Sequence, residues 1–226
     1  MSLILCIETS SKACSVALAD NGVCVAYKEI LDEWQHSKRL TLLIEDSLKA
    51  FNVELKGLAA VAISRGPGSY TGLRVGASCG KGLCYALDIP LISIPTLELI
   101  AQEQVRIDSS ETLIIPMIDA RRMEVYYNIY DSLLVPQQET TNLVLESDSF
   151  SQYKGQKLLF CGDGAFKMDN FLLDEQWSVA PSIASARFMT VLAQAKYEKN
   201  VFEDVAYYVP FYLKPPNITK SKKALF

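Results

Sequence analysis

The apolar segments of this chain come in the same succession twice, and any fold has to accommodate both copies. In the first half, Leu3–Ile7, Cys14–Ala19 and Val23–Ile30 read as three strands in a meander. Asp20-Asn21-Gly22 separates the last two, and Asn-Gly between apolar runs supplies the positive φ that a tight hairpin needs. Trp34–Phe51 reads as an amphipathic helix, with Leu40, Leu43, Ile44, Leu48 and Phe51 at i, i+3, i+4, i+8 and i+11. Ser37 is its expected cap, and Leu42 falls on the opposite side of the wheel, which predicts an exposed leucine. Leu58–Ser64 is a continuous apolar run of the kind shown by parallel strands covered on both faces. A helix near Thr71–Leu87, a strand at Pro90–Ile94 and a helix at Thr96–Gln104 complete the half.

Val105–Glu111, with Asp108-Ser109-Ser110 inside it, marks a linker, and the pattern then restarts. Thr112–Ile118 runs into Asp119 as Leu3–Ile7 runs into Glu8. Strands follow at Met123–Tyr130 and Asn142–Leu145, then a short helix around Ser147–Tyr153 and a strand at Lys157–Cys161. Gly162-Asp163-Gly164 stands where the first half has Gly66-Pro67-Gly68, and helices at Gly164–Leu173 and Ser182–Glu198 close the chain. Each half thus reads β-β-β-α-β-α. This predicts an α/β protein of two tandem subdomains, 1–106 and 107–226, each a mixed sheet with flanking helices. Two such halves describe the actin-like, RNase H-like architecture of sugar kinases, acetate kinases and heat-shock ATPases. Connections of this kind place function at the carboxyl ends of strands, where the Glu8 and Gly66 loops lie.

The stretch from Ser64 to Gly82, SRGPGSYTGLRVGASCGKG, asks for a chemical reading of its own. A loop between a strand and a helix N-terminus offers free N–H groups and a positive dipole end to an anion. Gly66, Gly68, Ser69 and Thr71 are the candidates for a nucleotide phosphate, with Arg74 as a nearby charge. The spacing matches neither the P-loop nor the dinucleotide fingerprint. Gly72, Gly76, Gly80 and Cys84 recur every fourth residue, a small-residue stripe suited to close packing of a helix on a neighbouring helix or sheet. Each mid-helix glycine costs about 0.5–1 kcal/mol against alanine, so packing has to offset three of them. Arg74, Ser78, Lys81 and Tyr85 make up the opposite, mixed face.

Composition bounds the function. With 22 Lys and Arg against 26 Asp and Glu, the chain is net acidic at −4, which argues against a stand-alone nucleic-acid binder. Lys214, Lys220, Lys222 and Lys223 form a local basic tail, read as a solvated terminus. Six cysteines without a C-x-x-C pair read as reduced thiols of a cytoplasmic protein. No run approaches the roughly 20 apolar residues of a membrane span, and MSLILCIETSS lacks the basic start of a signal peptide. The single histidine, His36, leaves no pair for a metal site and little for a hydrolytic triad. Glu8 stands either as a relic of metal and phosphate binding or as the partner of the Ser10-Ser11 turn, the latter favoured. Asp119-Ala120-Arg121-Arg122-Met123-Glu124 reads as a salt-bridge network at the domain junction.

ILCIETSSKACSVAL, SRGPGSYTGLRVGASCGKGLCYALDIPLISIPTLELIA and MIDARRMEVYY together resemble the TsaB family of bacterial threonylcarbamoyladenosine biosynthesis proteins. The resemblance covers essentially the whole chain and is strongest over residues 3–18, 62–101 and 117–127. It implies an actin-like fold, paralogous to TsaD, the enzyme that transfers threonylcarbamoyl to an adenosine beside the tRNA anticodon. It further implies a non-catalytic scaffold that binds TsaD, with the ATPase TsaE joining the pair and tRNA reached only through the complex. The paralogue carries two histidines four residues apart after the strand matching Pro90–Ile94, where this chain has Thr96 and Ile100. That difference argues against a metal centre and a peptidase. The resemblance implies that the helices Ser37–Ala50 and Thr71–Leu87 form the partner interface, through Leu42, Gly72, Arg74, Gly76, Gly80, Lys81 and Cys84. A homodimer through the same face is the resting alternative. No cofactor is obligatory, and ATP or ADP contact stays open. The competing reading is a stand-alone nucleotide-dependent transferase or kinase, which needs phosphate loops in both halves and carboxylates holding Mg²⁺.

Overall fold

The computed structural model describes residues 2–31, 36–105 and 111–215. Strands β1 (Leu3–Glu8), β2 (Ala13–Asp20) and β3 (Val23–Leu31) form the meander, followed by α1 (His36–Ala50), β4 (Ala60–Gly66), α2 (Tyr70–Leu87), β5 (Leu91–Pro95) and α3 (Thr96–Gln104). The second half repeats the order with β6 (Leu113–Asp119), β7 (Glu124–Tyr127), β8 (Thr141–Val144), β9 (Leu158–Cys161), β10 (Trp177–Ala180) and α4 (Ala186–Glu198). The sheets run β3-β2-β1-β4-β5 and β8-β7-β6-β9-β10, the same mixed topology twice. β1 pairs antiparallel with β2 and parallel with β4, as β6 does with β7 and β9.

Alternation along β1 divides the first sheet between two cores. Leu3, Leu5 and Ile7 point to the side covered by α1 and α2, against Leu40, Leu43, Ile44, Leu48 and Ala77. Ile4 and Cys6 point the other way, into a core shared with α3, α4 and the second sheet, where Ile114, Ile118 and Cys161 lie. Each fully buried Leu or Ile contributes about 1.5–3 kcal/mol, so a strand buried on both faces anchors the fold. The outer face of the second sheet closes a third core around Phe150, Phe160 and Trp177, whose rings meet edge to face at 5.2 and 5.7 Å. All six cysteines are free, and burial pushes the Cys6, Cys14, Cys84 and Cys161 thiols up. Among the described residues no helix is long and apolar enough to cross a membrane.

Several expectations are corrected. α1 begins at His36, so Ser37 sits inside its first turn and does not cap it from outside. The expected helices at Ser147–Tyr153 and Gly164–Leu173 are short 3₁₀ turns, Ser151–Tyr153 and Ala165–Asn170. β10 has no counterpart in the sequence reading. α4 lies in the second half of the chain yet packs on β1, β2, β3 and β5 of the first sheet. Trp34, the 106/107 boundary, Asp108-Ser109-Ser110, Lys220, Lys222 and Lys223 fall outside the described residues.

After α4 the chain returns to the first half as a strap. Glu203 N donates to Leu91 O at 2.8 Å, Phe211 N to Arg65 O at 2.8 Å, and the Tyr212 ring lies 4.7 Å from Tyr70. Lys81 Nζ donates to Ala206 O and Tyr208 O, both at 3.1 Å. The strap ends on the second half, where Lys214 pairs with Glu124. The basic residue at the head of the expected mobile tail is therefore bound. Lys81→Met is expected to lose about 1 kcal/mol of stability and to speed amide hydrogen exchange in residues 203–212 while sparing β1. Unchanged exchange there would show that Lys81 does not hold the strap.

Candidate functional site

The glycine loop is pressed onto the β1–β2 turn by its own chain. Ser69 N donates to Ser10 O at 2.7 Å, and Thr9 Oγ1 donates to Gly72 O at 2.8 Å. Ser69 caps α2, its Oγ accepting from Gly72 N at 3.2 Å. A Cβ on Gly68 would stand 2.4 Å from Ser10 O, and one on Gly66, at φ 106°, 2.5 Å from Phe211 O. The Cβ positions of Gly66 and Gly68 are closed by backbone carbonyls, and the Ser69 and Gly72 N–H groups are spent. Close packing thus accounts for Gly66 and Gly68. Thr71 is exposed beside it.

The small-residue stripe is a helix-on-sheet seam. A Cβ on Gly72 would lie 2.0 Å from Thr9 O, on Gly76 2.4 Å from Thr9 Oγ1, and on Gly80 2.7 Å from Ile63 Cγ2. Cys84 is buried with them and donates to Pro90 O at 3.4 Å. Gly72, Gly76, Gly80 and Cys84 are therefore corrected from partner residues to internal packing, because the Thr9 turn and the first sheet already occupy that face. The expected interface divides at this point. Leu42 is 46% exposed and Arg74 is exposed, its guanidinium 5.6 Å over the Tyr70 ring. Lys81 is half-buried on the strap. An open groove of about 490 Å³ runs between α1 and α2, lined by Leu40, Thr41, Tyr70, Arg74, Val75 and Cys79. Sequence reasoning missed Tyr70, Phe211 and Tyr212. Their contacts join positions far apart in the chain, and no local pattern announces them.

At the strand ends, Glu8 serves the turn. Its Oε1 accepts from Ser10 N and Ser10 Oγ, both at 2.5 Å, while Oε2 is buried without a partner. Burial pushes the carboxyl up to about 7 against the pull of donors on Ser10, Ser64 and Thr9. In the second half, Gly162 at φ 93° packs against Met117 O, and Asp163 Oδ1 accepts from Asp119 N at 3.1 Å. Partial burial pushes Asp119 up. Lys167 at 2.7 Å, the Arg121 N–H and the Lys12 charge outweigh it and hold the carboxyl below its usual range. The charge network expected between the domains is instead local: Lys167–Asp119 and Lys214–Glu124 each join two residues of the second half, and among the described residues neither Arg121 nor Arg122 has an ion pair. Thr96 and Ile100 are buried, at 1% and 3% exposure, Ile100 in the shared core. His36 is buried, its Nε2 3.4 Å from Lys12 O.

A family model described as TsaD, tRNA N6-adenosine threonylcarbamoyltransferase, matches residues 32–225. Proteins described as tRNA threonylcarbamoyladenosine biosynthesis protein TsaB in Escherichia coli and Bacillus subtilis are 37% and 33% identical over 127 residues. That is 56% of this chain and 54% of each relative, so the chain spans about half the length of these curated relatives. The TsaB of Buchnera aphidicola subsp. Schizaphis graminum is 30% identical over 182 residues, 77% of this chain and 85% of that protein. Among solved structures, YeaZ from Pseudomonas aeruginosa superposes with a TM-score of 0.82 at 25% identity, covering 94% of this chain and all of that one.

Proposed function

Because the chain belongs to the TsaB family, we propose that it works in tRNA threonylcarbamoyladenosine biosynthesis as a non-catalytic subunit that binds the transferase TsaD. TsaE joins that pair, and the assembly works in the cytoplasm. One observation carries the reading. The glycine loop is filled by the chain's own backbone, while the α1–α2 face beside it is left open around Leu42, Arg74 and the groove. An actin-like enzyme acting alone needs the reverse, an open phosphate loop and a covered flank. The chain's part is to hold TsaD in its competent state, with no nucleotide of its own required.

Co-purification and sizing with the cognate TsaD tests this. Leu42→Asp and Arg74→Glu alter exposed positions and are expected to fold, yet to weaken the 1:1 complex at least about tenfold, as charge reversal or an unpaired buried carboxylate does at an interface core. A complex that persists unchanged in both variants moves the interface elsewhere. Wild-type chain that transfers threonylcarbamoyl without TsaD, or binds ATP in a calorimetric titration, favours the enzyme reading. The same two variants in sizing of the chain alone decide whether a homodimer uses this face.

A further inference from the structure

The hairpin joining β6 to β7 carries a contradiction between sequence and backbone. Its tip is Arg121-Arg122-Met123, and both arginines sit at positive φ, 73° and 49°. The left-handed region suits glycine or asparagine and costs other residues about 1 kcal/mol or more each. The turn is nonetheless fully built. Asp119 Oδ1 accepts from Arg121 N at 2.6 Å, Ala120 N donates to Glu124 O at 3.0 Å, and Glu124 N donates to Arg121 O at 3.0 Å. These bonds hold the backbone and leave the side chains unused. Both arginines are exposed, and among the described residues neither guanidinium has a hydrogen bond or an ion pair.

The surroundings sort the nearby cations into two groups. Lys167 is paired with Asp119 and Lys214 with Glu124, so each supports the hairpin. Lys12 comes from the β1–β2 turn of the other half, is exposed, and lies close enough to act on both Asp119 and Asp163. Arg121 and Arg122 therefore make an unpaired cationic tip, with Lys12 of the other half beside the same Asp119 carboxylate, on a chain that is acidic overall. Exposed arginines on strained backbone, with unspent charge, point to a ligand. Guanidinium forks match phosphate oxygens two at a time, and a stripe of cations without a pocket suits a polymer backbone better than a small anion.

We propose that the Arg121–Arg122 tip, with Lys12, contacts the phosphate backbone of the tRNA directly when this chain sits in its complex. The proposal rests on the tRNA-modification reading above and goes beyond it, since it gives this subunit its own RNA contact. The probe is an unmodified tRNA transcript titrated by fluorescence anisotropy onto the chain–TsaD complex at about 50 and 200 mM salt. Two double variants serve, Arg121→Gln with Arg122→Gln, and Arg121→Asn with Arg122→Gly. The second removes charge while relieving the positive φ, so it is expected to melt no lower than wild type. Both are expected to keep the 1:1 complex, to bind the transcript about tenfold more weakly, and to lower the salt slope by about 2. Unchanged affinity and slope in both variants overturn the proposal. Loss of the protein complex with RNA affinity intact also overturns it, making the tip a protein contact. A wild-type complex that transfers threonylcarbamoyl to tRNA, with variants indistinguishable from it, sinks the proposal alone. A wild-type complex that neither binds nor modifies the transcript sinks the functional reading with it.

Discussion

Gly72→Ala is expected to cost more than about 3 kcal/mol, enough to unfold much of the chain at ambient temperature. The added methyl would stand 2.0 Å from Thr9 O, and the obstacle is a backbone carbonyl with no rotamer to escape into. That carbonyl belongs to a turn fixed from two sides, by Ser69 N on Ser10 O and by Thr9 Oγ1 on Gly72 O. Relief requires α2 to lift off β1, which exposes Ala77 and Cys84 together with the Ile63 contact of Gly80. The control lies in the same helix. Gly82 has nothing within 4 Å of its Cβ position and is exposed, so Gly82→Ala is expected to stabilise the chain by about 0.5–1 kcal/mol through helix propensity alone. Urea unfolding of the pair separates the two effects. A Gly72→Ala midpoint within about 1 kcal/mol of wild type would mean that the helix slides freely on the sheet, and the seam would lose its explanation.

The contrast between these glycines shows what periodicity conveys and what it leaves out. Spacing of four predicts that Gly72, Gly76 and Gly80 share a face, and they do. Spacing alone does not say which body lies against that face, and here it is the Thr9 turn at Gly72 and Gly76 and the first sheet at Gly80. The meander, the buried parallel strand at Leu58–Ser64 and the duplicated order were legible because each rests on local alternation or on continuous apolarity. β10 was not legible, since Trp177–Ala180 is four residues long and Ser178 is exposed. The expected helix at Gly164–Leu173 shrank to a 3₁₀ turn because Gly162 and Gly164 are pinned on β6 at Met117 and Ile118. Of the candidate site, Leu42 was legible from its place on the wheel. The strap was not, since it joins Phe211 to Arg65 and Lys214 to Glu124 across the length of the chain.

Glu8→Gln is expected to flatten the pH dependence of stability between about pH 5 and pH 8. The Glu8 carboxyl is fully buried, and burial lifts it from 4.5 to about 7. The folded chain thus holds a proton that the unfolded chain releases earlier. Its stability contribution is complete below about 4.5 and is lost as pH rises through 7, by an amount of about 3 kcal/mol. Glutamine does not ionise, and its carbonyl still accepts from Ser10 N and Ser10 Oγ at the place of Oε1. Its amide takes the position of the unpartnered Oε2, which shifts the whole curve by a constant. The remaining perturbed acids, Glu98, Glu103, Asp119, Glu124 and Asp163, act alike in both proteins and cancel in the comparison. Urea midpoints across that range are expected to fall with pH in the wild type and to stay level, from this cause, in the variant. Parallel curves would show that Glu8 stays ionised in the folded chain and finds a cation or water beyond the donors on Ser10, Ser64 and Thr9. The turn that Glu8 holds also carries Thr9 and Ser10, on which α2 is seated. Titration of this one carboxyl therefore acts on the footing of the proposed TsaD-binding face. Weaker complex formation above about pH 7 in the wild type, absent in the variant, is the corresponding expectation in the sizing experiment.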